Sequence, residues 1–277
     1  MHTVAVVGVG LIGGSFALAL QRAGFSGRIL GVSSERSCSL AIQIGAIHES
    51  VTLEEAAAEA DLIYLAQPIH GIIDAIQRLH GIVQEGCLVT DGGSTKELIV
   101  REASKKLPLF LGGHPMAGKT ARGVQEADPG LFDGKTYVIT PQQPSDLNQA
   151  EIQSFLTWIR KIGANVMVLS PEAHDRTVAV TSHLPQLAST ALAAVLAEQG
   201  LTDEQFLVAG AGLADTTRLA ASSFDVWRDI LTTNTREIDR VLASYIDKLS
   251  EFRQNLTNPA LRNDFEAAAI SAAKVRR

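Results

Sequence analysis

Hydrophobic positions along this chain change their rhythm once. Up to about residue 170 they come as short, nearly continuous apolar runs, at 4–8, 28–32, 62–66, 87–90, 109–111, 137–140 and 166–169. Runs of this length, rich in Val, Ile and Leu, read as strands of a parallel sheet buried on both faces. Between them lie segments with apolar residues three and four apart. Phe16, Leu18 and Leu20 follow the first run, and 54–60 is an Ala/Glu segment after Thr52. Two more helices are expected over 69–79 and 95–106, and 147–162 carries Ile152, Phe155, Leu156 and Ile159 on one helical face. Strand and helix alternating in this way predict βαβ units. From Glu172 onward the strand rhythm stops. Long Ala- and Leu-rich stretches, roughly 172–199, 203–220, 224–254 and 259–273, predict helices alone.

The first run ends in glycine. Residues 4–15 read Val-Ala-Val-Val-Gly-Val-Gly-Leu-Ile-Gly-Gly-Ser. A strand, a tight turn and a helix start, in that order, are what a dinucleotide site requires. Gly8 permits the turn, Gly10 lets a pyrophosphate approach the backbone, and Gly13 lets the helix pack closely on the strand. Leu11 and Ile12 open the helix, whose unpaired N–H groups and positive dipole end face the phosphates. A Gly-rich structural turn is the plainer alternative. The expected fold is an α/β dinucleotide-binding (Rossmann-like) domain over 1–170, then an all-α substrate-binding and dimerisation domain over 171–277. Ala-rich helices pack closely and often form subunit interfaces, so a homodimer through the second domain is expected.

The end of the second run bears on which dinucleotide binds. A site for NAD places Asp or Glu there, to accept from the ribose 2′-hydroxyl. Here stand Ser33, Ser34, Glu35 and Arg36. Two hydroxyls and an arginine suit a 2′-phosphate, so NADP is expected. Glu35 could turn in toward the ribose, which keeps NAD possible. Ser34 and Arg36 as solvated loop residues are the alternative.

Composition narrows the classes. The 277 residues are 46% apolar and carry a net charge of −6, with no basic cluster, so nucleic acid is not an expected partner. Cys38 and Cys87 form no C-x-x-C pair, and the histidines are not grouped at ligand spacing, so no metal is expected. The apolar runs carry Gly or polar residues and are expected to fall short of a membrane span. No signal segment precedes the first strand, and a cytoplasmic protein is expected.

Several polar residues fall where a doubly wound sheet binds ligands, at the carboxyl ends of its strands. Asp91-Gly-Gly-Ser94-Thr95-Lys96 follows the fourth run. Ser94 would face cofactor and substrate, or Ser94 and Thr95 would simply cap the next helix. Asp91 would fix the loop by accepting backbone N–H groups. Gly112-Gly-His114-Pro115 follows the fifth run. An imidazole held there can take a proton from an alcohol near neutral pH as hydride leaves the carbon, and Ser94 could bond it or the same hydroxyl. A satisfied structural histidine is the alternative. Further on, Ser182-His183-Leu-Pro185 follows the pair His174-Asp175. Asp215-Thr-Thr-Arg218 places an arginine that could clamp a substrate carboxylate, or merely bridge to Asp215. Trp227 reads as helix packing, with Arg228 or Asp229 in a structural ion pair.

Taken together, these segments resemble the prephenate/arogenate dehydrogenase family of tyrosine biosynthesis. The resemblance rests on Gly8-Val-Gly10-Leu-Ile-Gly13, Asp91-Gly-Gly-Ser94-Thr-Lys96, Gly-Gly-His114-Pro-Met-Ala-Gly118, His174-Asp175, Ser182-His183-Leu-Pro185, and Asp215-Thr-Thr-Arg218 with Trp227-Arg-Asp229. It implies oxidative decarboxylation of a cyclohexadienyl substrate: hydride leaves C4 for the nicotinamide, and loss of CO2 aromatises the ring. It implies that His114 accepts the hydrogen bond or proton of the 4-hydroxyl, that Ser94 aids placement, and that Arg218 binds a carboxylate, with His183 lining the pocket. Two positions depart from the pattern. Ala214 stands where several relatives carry a basic residue, and Gln186 where many carry histidine. Both remove potential positive charge, which tilts the expected substrate toward arogenate over the more anionic prephenate. Arg22, Arg122 and Arg176 are cations that could restore it. Three other readings compete. A β-hydroxyacid dehydrogenase would need a second-domain lysine, and none lies between Lys161 and Lys248. A pyrroline-carboxylate reductase lacks the His114 loop. A non-enzymatic NADP sensor would keep the glycines without needing His114, Ser94 and Arg218 together.

Overall fold

The computed structural model describes residues 1–119 and 121–275. Its core is an eight-stranded sheet in the order β3-β2-β1-β4-β5-β6-β7-β8. β1 (Thr3–Val7) leads through α1 (Leu11–Arg22) to β2 (Arg28–Val32), and α2 (Glu35–Gln43) leads to β3 (Glu49–Ser50). α3 (Leu53–Glu59) and β4 (Leu62–Leu65) follow, then α4 (Ile69–Leu79), β5 (Leu88–Asp91), α5 (Glu97–Ser104) and β6 (Phe110–Pro115). β7 (Thr136–Thr140), α6 (Ala150–Lys161) and β8 (Asn165–Val168) complete the sheet. The pairings are parallel except β6 with β7, which is antiparallel and was not foreseen in the sequence.

β1 is central, between β2 and β4, and Val4 to Val7 are buried accordingly. At about 1.5–3 kcal/mol for each fully buried valine, this strand is a large part of what holds the sheet. One face packs on α1 and α6, where Phe16 stacks on Tyr64 at 4.2 Å between ring centroids. The other face packs on α3, α4 and α5.

The helices of the second half are α7 (Pro171–Val178), α8 (Leu184–Glu198), α9 (Asp203–Phe206), α10 (Ala211–Thr217), α11 (Phe224–Thr233), α12 (Thr235–Gln254) and α13 (Leu261–Val275). Ile230 of α11 and Ile238 of α12 join the core on the α3–α5 face, so this half docks directly on the sheet's helical layer. The all-helical expectation holds, but the helices are more broken than the apolar pattern implied. A π turn, Ala179–His183, joins α7 to α8. The expected 203–220 helix divides into α9 and α10 around an extended Gly210, and ends in a 3₁₀ turn, Arg218–Ala221. The expected 224–254 helix breaks at Asn234. The run 33–36 contains the start of α2, because the Ser34 hydroxyl accepts the Ser37 N–H at 3.3 Å and caps it, so Arg36 is a helix residue and not the loop residue of the alternative reading.

One expectation on length needs correction. Pro171–Glu198 is 28 residues long with a mean hydropathy of 1.2 in its most apolar window, enough to cross a membrane by length and composition. It is nonetheless interrupted by the π turn and carries the buried polar residues His174, Asp175, His183 and Gln186 on the side facing the protein.

The turn glycines differ in what they tolerate. A Cβ at Gly13 would stand 2.3 Å from the Gly8 carbonyl oxygen and 2.7 Å from Val6 Cγ1, whereas one at Gly10 would meet nothing within 4 Å. Gly13→Ala is expected to destabilise the protein by about 1–3 kcal/mol through overpacking, and Gly10→Ala to leave stability near the parent. Denaturant melts of the two variants check this. Equal stabilities would mean that Gly13 is not a packing requirement.

Candidate active site

Strand order reverses between β1 and β4, and ligands bind in such sheets at the carboxyl ends beside that reversal. A cavity of about 490 Å³ lies there, walled by Leu11 and Ile12 after β1, Gln67 after β4 and Ser94 after β5, with Asp229 of α11 opposite. Gly8 takes φ +94°, and its N–H donates to the Val32 carbonyl at 2.8 Å, so the turn is held against β2. A Cβ at Gly8 would stand 2.8 Å from the Ala66 backbone. Open space at Gly10 beside the free amides of α1 is the cradle that a pyrophosphate needs. The Gln67 side-chain oxygen is buried in the same wall without a partner among the described residues. These residues fit a dinucleotide. Ser33, Ser34, Glu35 and Arg36 are all exposed at the end of β2. Ser34 is engaged in the α2 cap, donating also to the Ser37 hydroxyl at 3.0 Å.

His114 lies near the end of β6, half-buried, and its partner is not Ser94. Its Nδ1 stands 2.8 Å from Nε2 of His174, and Nδ1 of His174 stands 2.7 Å from Oδ1 of Asp175. The Asp175 carboxylate in turn accepts the backbone N–H of Lys96 at 2.7 Å and of Glu97 at 2.9 Å. It thus caps α5 from the helical half, in place of the Ser94 or Thr95 cap that the sequence offered. Thr95 bonds Thr233 instead, at 2.8 Å between hydroxyl oxygens.

Beneath this chain lies a buried ion pair. The Lys96 ammonium donates to Asp91 and, at 2.7 Å, to the Gly113 carbonyl. Asp91 also accepts from Gly93 N at 2.8 Å and Gly113 N at 3.1 Å, the loop-fixing role expected of it. Lys96 therefore fixes the strand residue immediately before His114. Burial holds the Lys96 ammonium below its usual range, opposed by Asp91. Burial first, and then the neighbouring His174, Lys96 and His183, hold the His114 imidazole well below its usual range, so it stands neutral near neutral pH.

His183 ends the π turn and is buried. Its Nδ1 accepts from Asn234 Nδ2 at 3.3 Å, which places its proton on Nε2, and burial lowers its pKa to about 4. The same Asn234 nitrogen donates to the Asp175 carbonyl at 2.9 Å. Asn234 thus ties the Asp175 carbonyl of α7 to the His183 ring across the π turn. Trp227 packs edge-on against His183 at 5.8 Å between centroids, and Arg228 Nε lies 3.6 Å from Asp229, as expected of a packing and an ion-pair residue.

The remaining candidates are less concentrated. Arg218 is exposed at the start of the 3₁₀ turn and is not bridged to Asp215 among the described residues. Gln186, buried one turn after His183, donates to the Leu219 carbonyl at 2.9 Å and so holds the turn that carries Arg218. Ala214 lies elsewhere, in an apolar groove with Leu196 and Phe206, so within one chain it takes no charge away from the His114 cluster. Of the three other arginines, Arg122 borders the dinucleotide cavity, Arg22 is bound to Asp133, and Arg176 lies 3.9 Å from Glu237. Sequence reasoning noted His174 and Asp175 without giving them a role, and passed over Lys96 and Asn234. A His-Asp pair one turn into a Pro-started helix was the available signal.

Similarity to known proteins agrees with this arrangement. A family model described as prephenate dehydrogenase, nucleotide-binding domain, matches residues 16–168, and one described as prephenate dehydrogenase, dimerization domain, matches 170–267. The chain is 32% identical to the prephenate dehydrogenase of Bacillus subtilis over 274 residues, covering 95% of this chain and 72% of that protein. It is 27% identical to the cyclohexadienyl dehydrogenase of Zymomonas mobilis, over 90% of this chain and 87% of that one. Among solved structures, a prephenate dehydrogenase from A. aeolicus in complex with hydroxyphenyl propionate and NAD+ superposes with a TM-score of 0.90 at 31% identity, covering 99% of this chain and 98% of that one. Synechocystis arogenate dehydrogenase superposes with a TM-score of 0.83 at 30% identity, covering 99% of each chain. With both halves matched in order, and the glycine turn, His114 loop and helical half arranged as described, the chain belongs to the prephenate dehydrogenase family.

Proposed function

We propose that this protein oxidatively decarboxylates arogenate to tyrosine, prephenate to 4-hydroxyphenylpyruvate, or both. The observation that carries this reading is the orientation of His114. Its Nδ1 is taken by His174, which leaves Nε2 for a substrate hydroxyl, and its low pKa keeps that nitrogen unprotonated at neutral pH. A bound nicotinamide dinucleotide supplies the hydride acceptor. His114 accepts the 4-hydroxyl proton as C4 loses hydride and the ring loses CO2, and returns it to the phenolic oxygen. Ser94, in the cavity wall, helps place that hydroxyl. His183 offers its Nε2 proton to the hydroxyl or side-chain end. Arg218, free of Asp215 and carried by the Gln186-held turn, binds a carboxylate.

NADP is the cofactor proposed, supported by exposed Ser33 and Arg36 at the end of β2 with Ser34 at the head of α2. Gly8, Gly10, Leu11, Ile12 and Gly13 hold the pyrophosphate end. We place the boundary between the units at residue 170. A homodimer through the helical unit is supported by the match to a dimerization domain and by exposed Leu207, Val208, Phe265 and Ile270. Buried free thiols at Cys38 and Cys87 suit the reducing cytoplasm.

Three measurements test these assignments. His114→Ala is expected to lower kcat by about 10²–10⁴ with both prephenate and arogenate, with cofactor affinity unchanged; a kcat within a few-fold of the parent removes His114 from the mechanism. Arg218→Ala should weaken substrate binding by about 2–5 kcal/mol, read as a large rise in KM, and an unchanged KM would rule out the clamp. Arg36→Ala should weaken NADP and spare NAD in parallel titrations, and a parent that prefers NAD would overturn the cofactor assignment.

A further inference from the structure

The hydrogen-bond chain behind His114 fixes more than its orientation. Nδ1 of His174 faces the Asp175 carboxylate at 2.7 Å, so the His174 proton sits on Nδ1. Its Nε2 is then a lone pair, and the 2.8 Å contact to His114 requires His114 to donate from Nδ1. Both neutral rings are thereby locked in the Nδ1–H tautomer, with Nε2 of His114 as the free acceptor. Asp175 is itself held by the Lys96 and Glu97 amides at the start of α5, and His174 and Asp175 are 0% and 1% exposed.

We propose that His174 and Asp175 form a proton relay with His114: as Nε2 of His114 takes the substrate hydroxyl proton, Nδ1 of His114 passes its own proton to Nε2 of His174. This extends the reading of His114 as the base and rests on it. The positive charge comes to rest on His174, in contact with the Asp175 carboxylate. No proton is consumed. When CO2 has left and the oxygen has become a phenolate, both transfers reverse and the phenol is formed. His174 is here a positioning and relay residue that does not touch substrate.

The surroundings favour such a transfer. Among the described residues, the charged and titratable groups that face the two rings are Lys96 at the head of α5, itself paired with Asp91 on β5, Asp175 on α7 and His183 in the π turn. A cation on His114 meets burial and the Lys96 ammonium without a carboxylate in contact, whereas a cation on His174 has Asp175 at 2.7 Å. Because the relayed proton is shared, the acid limb of the kcat–pH profile reports both rings; without His174 it is set by His114 alone, whose imidazole burial holds low.

His174→Gln tests this, because its amide oxygen can still accept from His114 Nδ1 but cannot take the proton. In the full-length enzyme with saturating cofactor, kcat is expected to fall roughly tenfold or more with KM within about twofold, and the acid limb of kcat is expected to move to lower pH. A parental kcat, or a lowered kcat with an unmoved acid limb, overturns the relay. His114→Ala measured in parallel separates the two readings: if it stays active the base assignment fails, and if it alone is inactive only the relay fails. Should the glutamine variant not fold, nitrogen-15 histidine spectra of the parent decide. Nδ1–H tautomers on both His114 and His174 are expected, and a proton on Nε2 of neutral His114 overturns the relay.

Discussion

The site depends on one buried carboxylate, Asp175. It accepts two backbone amides at the head of α5 and the ring N–H of His174, while its own carbonyl accepts from Asn234. A buried anion costs several kcal/mol unless its lone pairs are used, and here the donors and the positive end of α5 satisfy it. Because α5 belongs to the sheet and Asp175 to the helical half, this contact joins the two halves at the point where chemistry is assigned. His114, placed by β6, meets His174, placed by α7, only while the junction holds. A structural and a chemical demand thus fall on one side chain, and a variant that breaks it is expected to lose both together.

The Lys96–Asp91 pair plays a complementary part. Both side chains are fully buried, and removing either partner would leave an uncompensated charge, a loss of about 3–5 kcal/mol in comparable pairs. The pair ties the β5 loop to the Gly113 carbonyl and so sets the β6 backbone immediately before His114. It also adds a positive charge near His114, which reinforces burial in keeping that ring neutral. The cation that orients the strand is thus one of the reasons the base is free at neutral pH.

What the sequence disclosed followed from local rules. The strand runs, the glycine turn and the switch to all-helical rhythm are set by neighbouring residues, and the structure has them where they were expected. The resemblance to the family rested on short motifs, and the similarity of the whole chain agrees. What local rules could not show were contacts closing over long separations. The α5 cap comes from Asp175 rather than Ser94, an acceptor 78 positions along the chain from Glu97. The break at Asn234 interrupts an apolar pattern that reads as continuous, because its side chain is needed across the fold by Asp175 and His183. The antiparallel β7 follows from pairing geometry, to which apolar periodicity is blind. Ala214 was expected in the substrate pocket because relatives carry a basic residue at its position, and within one chain α10 sets it in a separate apolar groove.

That displacement of Ala214 changes how charge at the substrate site must be understood. Gln186 keeps its place beside His183, but as a neutral tether for the Arg218 turn rather than as a missing cation. Among the described residues, the cations proposed for an anionic substrate are Arg218, which is exposed on the helical half, and Arg122 beside Lys119 at the edge of the dinucleotide cavity. Lys96 contributes from below but is neutralised by Asp91. His183, with a pKa of about 4, stays uncharged and can offer hydrogen bonding but no charge. In the proposed reading, carboxylate binding falls to exposed arginines and hydroxyl binding to the neutral His114 and His183. Such a division lets the two ends of one substrate be held by different physics. Coulomb attraction gathers and anchors the carboxylate, and an oriented neutral ring receives the proton without competing for that anion.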